Sequence, residues 1–428
     1  LRAELIERGH VFHSDGDTEV ILRAYAEWGE ACVERLHGMF AFALWDPRVG
    51  QLFLARDRLG IKPLYYAELA GAVRFASSTQ ALLAAGGVDT AIDPVALHHQ
   101  FTLHAVVPAP RTILAGVRKV APATTLTIDR TGQKRERRYW SLAACRPERA
   151  MSEGEWAEAI HASLGRAVEK RLSIADVKVG VLLSGGLDSS LLVALLAEHG
   201  VSDLMTFSVG FEDQPEERGH EFEYSDAVAA HYGTRHHQYS IPNHAVLERL
   251  PEAVDAMAEP MVGQDAVAFY LLAEQVSKTV KVVQSGQGAD EVFGGYFWYP
   301  RMHAETEGPP VERFRRHYFD RDHDEYLATV DPRYHGPDHT AALIAARLAE
   351  PFADDFIDQV LRMDTTMLIT DDPVKRVDNM TMAWGLEARV PFLDHEVVEL
   401  AARMPPELKL ASGGKHILKQ LSRGLLPD

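Results

Sequence analysis

One stretch constrains the fold of this chain more than any other. The apolar run that ends at Leu183 passes directly into the glycine-rich turn of Val181–Ser190 (VLLSGGLDSS), and a helical pattern follows over Ser189–His199. Parallel strands need helical crossovers, so a buried strand that turns through glycines into a helix is typical of a parallel α/β sheet.

The same alternation of strand and helix continues on both sides of this turn. An amphipathic helix is predicted over Glu155–Arg171, and further segments follow it along the chain. The predicted strands are Val177–Leu183, Met205–Val209, His237–Ile241 and Val280–Gln284, with a helix over Tyr224–Tyr232. We therefore predict a parallel α/β domain over residues 152–428, in which residues 300–428 are mostly helical.

The first 140 residues follow a different pattern, with short strands joined by tight turns. A helix is predicted after Gly16, capped by Asp17 or Thr18. The predicted strands are Phe40–Trp45, Gln51–Ala55, Leu64–Ala67 and Val73–Ala76, the last two turning at Gly71. Such hairpins predict a separate antiparallel domain over residues 1–140, with a boundary at Tyr139–Ser152.

Charge and cysteine content exclude several classes of function. The chain has 44 Lys and Arg against 62 Asp and Glu, a formal net charge of −18, which disfavours nucleic acid and anionic membranes as partners. Two cysteines exclude a disulfide scaffold, and the spacing of the 20 histidines suggests no metal site. Because no apolar run is long enough to span a membrane and no signal-peptide pattern is present, we expect a cytoplasmic protein.

The turn after the first buried strand is a candidate pyrophosphate-binding loop. Glycines allow close backbone approach, and free N–H groups at a helix start bind phosphate. Asp188 would hold a Mg²⁺ ion that bridges the phosphates. The other candidate ATP-binding residues of this turn are Ser184, Gly185, Gly186, Ser189 and Ser190. A turn that uses Gly and Ser for geometry alone is the alternative.

The chain has no Walker A sequence, since Gly413-Gly414-Lys415 is followed by His416 rather than by Ser or Thr. Chemistry at the γ-phosphate through that loop is therefore not expected. The Ser-Gly-Gly-x-Asp-Ser turn instead resembles the pyrophosphate loop of ATP pyrophosphatases, which cleave ATP between the α and β phosphates.

A second glycine-rich turn, Val282–Tyr296, also follows a strand and opens a helix. Ligands bind at the carboxyl ends of parallel strands, so both turns can face one crevice. Asp290 could then share a cation with Asp188, while Ser285 and Gly286 touch nucleotide. The alternative is a helix start whose acidic residues complement the dipole.

Together these motifs resemble the asparagine synthetase family of glutamine-dependent amidotransferases. The resemblance extends over the whole chain and includes Gly38–Asp46, Ala55–Tyr65, Ser184–Ser190, Ser285–Tyr296 and Glu387–Asp394. It implies a two-domain protein of α/β and α+β class. An N-terminal-nucleophile glutaminase, present in part, forms an antiparallel sandwich, and a parallel-sheet ATP-pyrophosphatase (nucleotide α-hydrolase-like) synthetase domain follows.

The resemblance also implies roles for individual residues, together with ATP and Mg²⁺ as cofactors. Asp17 matches a glutamine-binding aspartate, and Lys415 matches a catalytic lysine that stabilises charge on the reacting phosphate. The remaining matches are Leu183, Val209, Ser285 and Gly286 for the nucleotide, and Asp188 and Asp290 for magnesium. Glutamine, ATP and a carboxylate acceptor are the implied partners, and a homodimer is the oligomeric state that the resemblance suggests.

Three departures from the family pattern stand out. The family's nucleophilic cysteine begins the mature chain, and neither Cys32, in a helical pattern, nor Cys145, in the linker, matches it. The chain also stops early, so we expect a fragment truncated at both ends. Third, Gln287 replaces a catalytic glutamate, and an amide cannot take a proton.

The segment Phe101–Leu114 and the turn containing Gln287 look most like the branch that amidates N-acetylglutaminylglutamine, a dipeptide whose amide is an osmoprotectant. This resemblance makes the dipeptide the expected acceptor. The alternatives are asparagine synthesis from aspartate, a cyclase of the β-lactam synthetase type, a tRNA-modifying pyrophosphatase and a catalytically silent ATP-binding protein. The negative charge and the lack of cysteine pairs argue against the tRNA enzyme.

Overall fold

The computed structural model describes residues 1–173, 175, 177–212, 222–261 and 265–427. The chain divides into two compact units. The first comprises Leu1–Asp89 and Gly116–Ser141, and the second comprises Thr90–Ala115 and Leu142–Asp428. The segment Thr90–Ala115 thus interrupts the first unit in sequence and belongs to the second, although the sequence pattern had placed it in a first domain of residues 1–140.

The first unit contains two antiparallel sheets, with strand orders β1-β2-β6-β7 and β4-β3-β5. The strands are β1 (Ala41–Asp46), β2 (Gln51–Arg56), β3 (Tyr65–Leu69), β4 (Ala72–Ala76), β5 (Arg118–Lys119), β6 (Thr124–Ile128) and β7 (Lys134–Arg138). The helices are α1 (Arg2–Glu7), α2 (Asp17–Trp28) and α3 (Thr79–Ala84).

Strand β2 shows why the sheets stack. Successive side chains of a strand point to opposite faces. On one face, Phe53 packs with Tyr25 of α2 in one apolar cluster. On the other face, Leu54 packs in a second cluster with Tyr66 of β3 and with Leu64, which directly precedes β3. Both faces of the first sheet are therefore covered, which confirms the antiparallel sandwich expected from the sequence.

The second unit is built on a five-stranded parallel sheet among the described residues, in the order β10-β9-β8-β11-β12. Its strands are β8 (Val179–Leu182), β9 (Met205–Phe211), β10 (Arg235–Ile241), β11 (Val282–Gln284) and β12 (Glu387–Arg389). Phe207, Val283 and Leu272 are buried in the core beside this sheet. The parallel α/β domain predicted from the sequence is confirmed.

Helices make up most of the remainder of the second unit. They are α4 (Pro94–Thr102), α5 (Glu153–Ser173), α6 (Leu187–Glu198), α7 (Phe222–Tyr232), α8 (Asn243–Ala256), α9 (Asp265–Val276), α10 (Ala289–Phe293), α11 (Trp298–Ala304), α12 (Pro310–Tyr318), α13 (His323–Thr329), α14 (His339–Leu348), α15 (Phe356–Met363), α16 (Lys375–Met382), α17 (His395–Ala402), α18 (Pro406–Leu410) and α19 (His416–Ser422). No helix among the described residues is long and apolar enough to cross a membrane.

One strand was not predicted, and one local expectation was wrong. Glu387–Arg389 pairs with β11 as a parallel strand that the sequence did not indicate, because its three residues are too few to show a strand period. At the start of α2, the N-cap position is held by Gly16 in an extended conformation, and neither Asp17 nor Thr18 caps the helix.

Candidate active site

The first glycine-rich turn leaves the carboxyl end of β8 and enters α6. Gly185 has φ +87°, and a Cβ added there would lie 2.6 Å from Cβ of Tyr224 and 2.7 Å from N of Ser225. Only glycine meets both the positive φ and the close approach of α7. The backbone of this turn is consequently held tight against its neighbours.

Serine hydroxyls close the turn on itself. The backbone N–H of Ser184 donates to Oγ of Ser189 at 3.2 Å, and Oγ of Ser189 donates to the carbonyl of Gly186 at 3.2 Å. Ser190 Oγ is buried and lacks a hydrogen-bond partner within the described ranges. Oγ of Ser184 accepts from the backbone N–H of Gly186 at 3.3 Å. The hydroxyls of Ser184 and Ser189 therefore hold the turn closed, while the hydroxyl of Ser190 retains its full hydrogen-bonding capacity.

The second turn leaves the neighbouring strand β11 and touches the first. Its backbone is anchored to β12, since the N–H of Ser285 donates to the carbonyl of Arg389 at 2.8 Å. A Cβ added at Gly286 would lie 3.0 Å from Cβ of Asp188 and 3.2 Å from N of Ser189. The two turns thus meet at the carboxyl ends of adjacent parallel strands, as the sequence predicted.

Lys415 joins the two turns through their carboxylates. Its Nζ lies 2.6 Å from Oδ2 of Asp188 and 2.7 Å from Oδ1 of Asp290. Glycines make room for this approach: a Cβ at Gly295 would fall 2.2 Å from Cε of Lys415, and one at Gly414 would fall 2.4 Å from a backbone oxygen. A lysine that looks isolated in the sequence is therefore the centre of an ion cluster.

Burial and charge oppose each other in this cluster. Burial raises the pKa of Asp188 to about 6, and the Lys415 ammonium limits that rise. For Lys415, burial disfavours the charged form, but the attraction of both carboxylates outweighs it and raises the pKa. At neutral pH the lysine is charged and Asp188 is mostly ionised.

The cluster lies beside a cavity of about 250 Å³. The described residues that line it include ten of those singled out from the sequence, and they come from both turns and from β9. These ten are Leu183, Ser184, Gly186, Asp188, Ser189, Val209, Ser285, Gly286, Gln287 and Asp290. Gly185, Ser190 and Lys415 are not among the lining residues. Gly185 instead packs against α7, and Lys415 reaches the cavity through the two aspartates.

Other residues of the cavity wall went unrecognised in the sequence. Phe207, Ser208 and Phe269 line it, as does Asp265 at the start of α9. The carboxylate of Asp265 lies 3.5 Å from the guanidinium of Arg376. Phe207 and Ser208 immediately precede Val209, a strand position already matched to the nucleotide, and this adjacency is the signal that could have found them.

Glu291 of the second turn and Asp364, which follows α15, are two buried acids that the sequence did not single out as site residues. Tyr296 Oη donates to Oε1 of Glu291 at 2.8 Å, and Tyr299 Oη donates to Oδ2 of Asp364. Burial, with repulsion from neighbouring carboxylates, raises the pKa of both Glu291 and Asp364 well above the ordinary range. These acids therefore retain protons at pH values where exposed carboxyls have lost them.

The residues singled out in the first unit and the linker form no comparable cluster among the described residues. Asp17 is exposed at the first position of α2. Cys32 is fully buried, and burial raises the pKa of its thiol to about 11. A buried, protonated thiol is a poor nucleophile, so the expectation that Cys32 belongs to the core agrees with its position.

Comparisons with known proteins cover both units. The family described as "Asparagine synthase" matches residues 159–428, and the one described as "Glutamine amidotransferase domain" matches residues 1–140. The chain is 32% identical over its whole length to asparagine synthetase [glutamine-hydrolyzing] 3 of Bacillus subtilis, of which it covers 71%.

Two further relatives show the same whole-length similarity. A putative asparagine synthetase [glutamine-hydrolyzing] of Mycobacterium tuberculosis is 34% identical and is covered to 71%. Asparagine synthetase B of Escherichia coli is 28% identical and is covered to 65%.

Proposed function

Because the chain belongs to the asparagine synthase family, we propose that it is a glutamine-dependent ligase that converts a carboxylate into an amide. ATP activates the carboxylate, and ammonia derived from glutamine replaces AMP. The observation that carries this proposal is the convergence of two glycine-rich turns and Lys415 at one cavity.

ATP would bind across the two turns. The main-chain N–H groups at the start of α6 suit the anionic phosphates, as does the helix dipole there. Apolar side chains from β9 and α9, including Phe207 and Phe269, offer a surface for the purine and ribose. A cavity of this mixed character fits a nucleotide better than a purely charged ligand.

The carboxylates of Asp188 and Asp290 suit a magnesium ion. Asp188 Oδ1 is buried and makes no hydrogen bond to any residue that the structure describes, so it keeps both lone pairs for a ligand. Oxygen ligands from one or two carboxylates plus substrate phosphates are what Mg²⁺ prefers. When bound, Mg²⁺ would neutralise charge on the pyrophosphate leaving group.

The proposed reaction has two steps. An oxygen of the acceptor carboxylate attacks the α-phosphorus, the bond to the bridging oxygen breaks, and pyrophosphate leaves. Ammonia then attacks the acyl carbon of the adenylate, loses a proton and expels AMP. Lys415, held at the junction of both turns, stabilises the negative charge that develops on the phosphate oxygens.

Gln287 is the basis for proposing an acceptor other than aspartate. It lines the cavity, where family resemblance leads us to expect a glutamate. An amide side chain donates and accepts hydrogen bonds but takes up no proton, so a substrate carboxylate next to it meets no like charge. We propose N-acetylglutaminylglutamine as the acceptor, with asparagine synthesis, which the names of the relatives suggest, as the second candidate.

In the first unit, Asp17 is proposed to bind the glutamine that supplies ammonia. The match of residues 1–140 to a glutamine amidotransferase domain supports this role. Cys32 is not proposed as the nucleophile, because its thiol is buried and protonated. We propose the cytoplasm as the place of action.

The test is pyrophosphate release with ATP, Mg²⁺ and ammonium, which makes the measurement independent of glutamine hydrolysis. Wild-type chain and Gln287→Glu are compared with N-acetylglutaminylglutamine or aspartate as acceptor. We expect wild-type release with the dipeptide alone, and a loss of that preference in Gln287→Glu. Release with aspartate alone would establish asparagine synthesis, and ATP binding without release on either acceptor would establish a silent binding protein.

A further inference from the structure

Helices α4, α13 and α14 of the second unit bring histidines together away from the two glycine-rich turns in sequence. Nε2 of His98 lies 3.0 Å from Nδ1 of His323, and one ligand atom of each lies within 4.8 Å of a carboxylate oxygen of Asp338. His98 is buried, and the other two are half-buried. The three residues lie far apart in the sequence, which is why spacing along the chain gave no sign of them.

A threonine hydroxyl fixes the protonation of His98. Thr102 Oγ1 donates its proton to the carbonyl of His98 at 2.7 Å, so the 2.7 Å contact between the hydroxyls of Thr102 and Thr340 is donated by Thr340. Thr340 Oγ1 must then accept from Nδ1 of His98 and from Nδ1 of His99, both at 2.9 Å. A hydroxyl has two acceptor lone pairs, and these two bonds use both.

This assignment leaves Nε2 of His98 as a lone pair that points toward His323. A histidine that binds a metal ion through one ring nitrogen almost always donates the N–H of its other ring nitrogen to an oxygen. His98 has this arrangement, with the N–H at Nδ1 and the lone pair at Nε2. In the metal-free state that lone pair accepts the Nδ1 proton of His323.

Asp338 can supply a third ligand without losing its other contacts. Its Oδ1 accepts from the N–H of Ala341 at 2.8 Å, and its Oδ2 accepts from Arg315 at 2.7 Å. Each carboxylate oxygen offers two lone pairs, so each keeps one for a metal ion. His339, whose ring centre lies 5.8 Å from that of His98, completes the imidazole-rich surroundings.

We propose that His98, His323 and Asp338 bind a divalent transition-metal ion, for which Zn²⁺ is the best match. Two imidazoles and one carboxylate are a common three-residue ligand set for Zn²⁺, with water in the fourth position. Two nitrogens bound to one tetrahedral Zn²⁺ lie about 3.3 Å apart, close to the 3.0 Å separation here. The ion would fasten α4 to α13 and α14.

The test measures Zn²⁺ binding to the full chain after treatment with a chelator and its removal. Equilibrium dialysis against ZnCl₂ compares wild type with His323→Ala and with Asp338→Asn, which keeps the helix-capping oxygen. His335→Ala is the control, because His335 is exposed and hydrogen-bonds to the carbonyl of Val330. We expect His323→Ala to lose one Zn²⁺ per chain, or to weaken binding at least about 100-fold, with His335→Ala unchanged.

Zn²⁺ binding by variants of Thr340 is a second test, and its expected pattern would not arise if the histidines had only a structural role. Thr340→Val removes the acceptor that fixes His98 and should weaken Zn²⁺ binding about 10- to 100-fold, whereas Thr340→Ser should restore it. Bound Co²⁺ should show visible absorption in wild type and lose it in His323→Ala. Equal Zn²⁺ binding by wild type, His323→Ala and Asp338→Asn would overturn the proposal.

Discussion

At the scale of single residues, Lys415 makes the contacts on which the proposed chemistry most depends. It has φ +53° at the N-cap of α19, a backbone conformation that L-residues rarely adopt. Strain of this kind persists where the surroundings hold it in place, and here two short ion pairs do so. From the sequence alone this lysine had no visible partner.

We predict that Lys415→Ala lowers kcat for ammonium-dependent pyrophosphate release about 100- to 1000-fold, the range typical for loss of one group that stabilises transition-state charge. Lys419→Ala is the matched control, since Lys419 lies one turn further along α19 and donates to the carbonyl of Ser412. Steady-state kinetics with saturating ATP measure both variants. Full activity of Lys415→Ala would remove the lysine from the mechanism.

At the scale of elements, the junction of β8 with α6 shows how a turn is made rigid. We predict that Gly185→Ala weakens ATP binding and lowers Tm, because the added Cβ meets Tyr224 and Ser225 at a positive φ. The cost expected for such strain is about 1–3 kcal/mol. Titration calorimetry with ATP and thermal denaturation report the two effects.

Gly200→Ala is the control that separates the effect of backbone strain from the effect of steric contact with α7. Gly200 follows α6 with φ +73°, and nothing lies within 4 Å of its added Cβ. This variant should lose stability through backbone strain alone and keep wild-type ATP affinity. Equal ATP affinity in the Gly185 and Gly200 variants would mean that contact with α7 does not shape the loop.

The buried acids Glu291, in α10, and Asp364 make stability depend on pH. Between the ordinary carboxyl pKa, about 4, and the raised values of Glu291 and Asp364, the unfolded chain binds fewer protons than the folded chain. Stability therefore falls as pH rises through this window. We predict that Glu291→Gln, which preserves the acceptor for Tyr296, flattens the decline of Tm with pH. In the control variant Glu248→Gln, which changes an exposed residue, Tm should decline with pH as it does in the wild type. An unchanged slope in Glu291→Gln would mean that another group causes the decline.

Elements differ in how far the sequence could anticipate them. The glycine turns, the strands that precede them and the antiparallel hairpins carry strong local signals, and all lie close to where the sequence placed them. Strand β12 was missed because three residues carry no period. The family resemblance gave Lys415 a role at the reacting phosphate but did not predict its ion pairs with the aspartates, because contacts between residues more than a hundred positions apart leave no local pattern.

At the scale of the whole molecule, ATP binding should stabilise the folded state of the second unit against global unfolding. A ligand that binds only the folded state at 100 times its Kd stabilises that state by about 2.7 kcal/mol. Amides of β8, β9 and β11 that exchange through global opening of the second unit should then exchange about 100-fold more slowly. Hydrogen exchange with and without Mg²⁺ and ATP measures this. Asp188→Asn should show a smaller effect, and equal slowing in this variant would argue against its role.

Because the chain passes more than once between the two units, they cannot be separated by a simple truncation. The polypeptide passes from one unit to the other after Asp89, after Ala115 and again after Ser141. No single cut yields two complete units, and a gene shortened to begin at residue 142 would encode a second unit without α4 and His98. Swapping the units between relatives, or expressing one alone, calls for a circularly permuted or two-piece design that carries residues 90–115 along with the second unit.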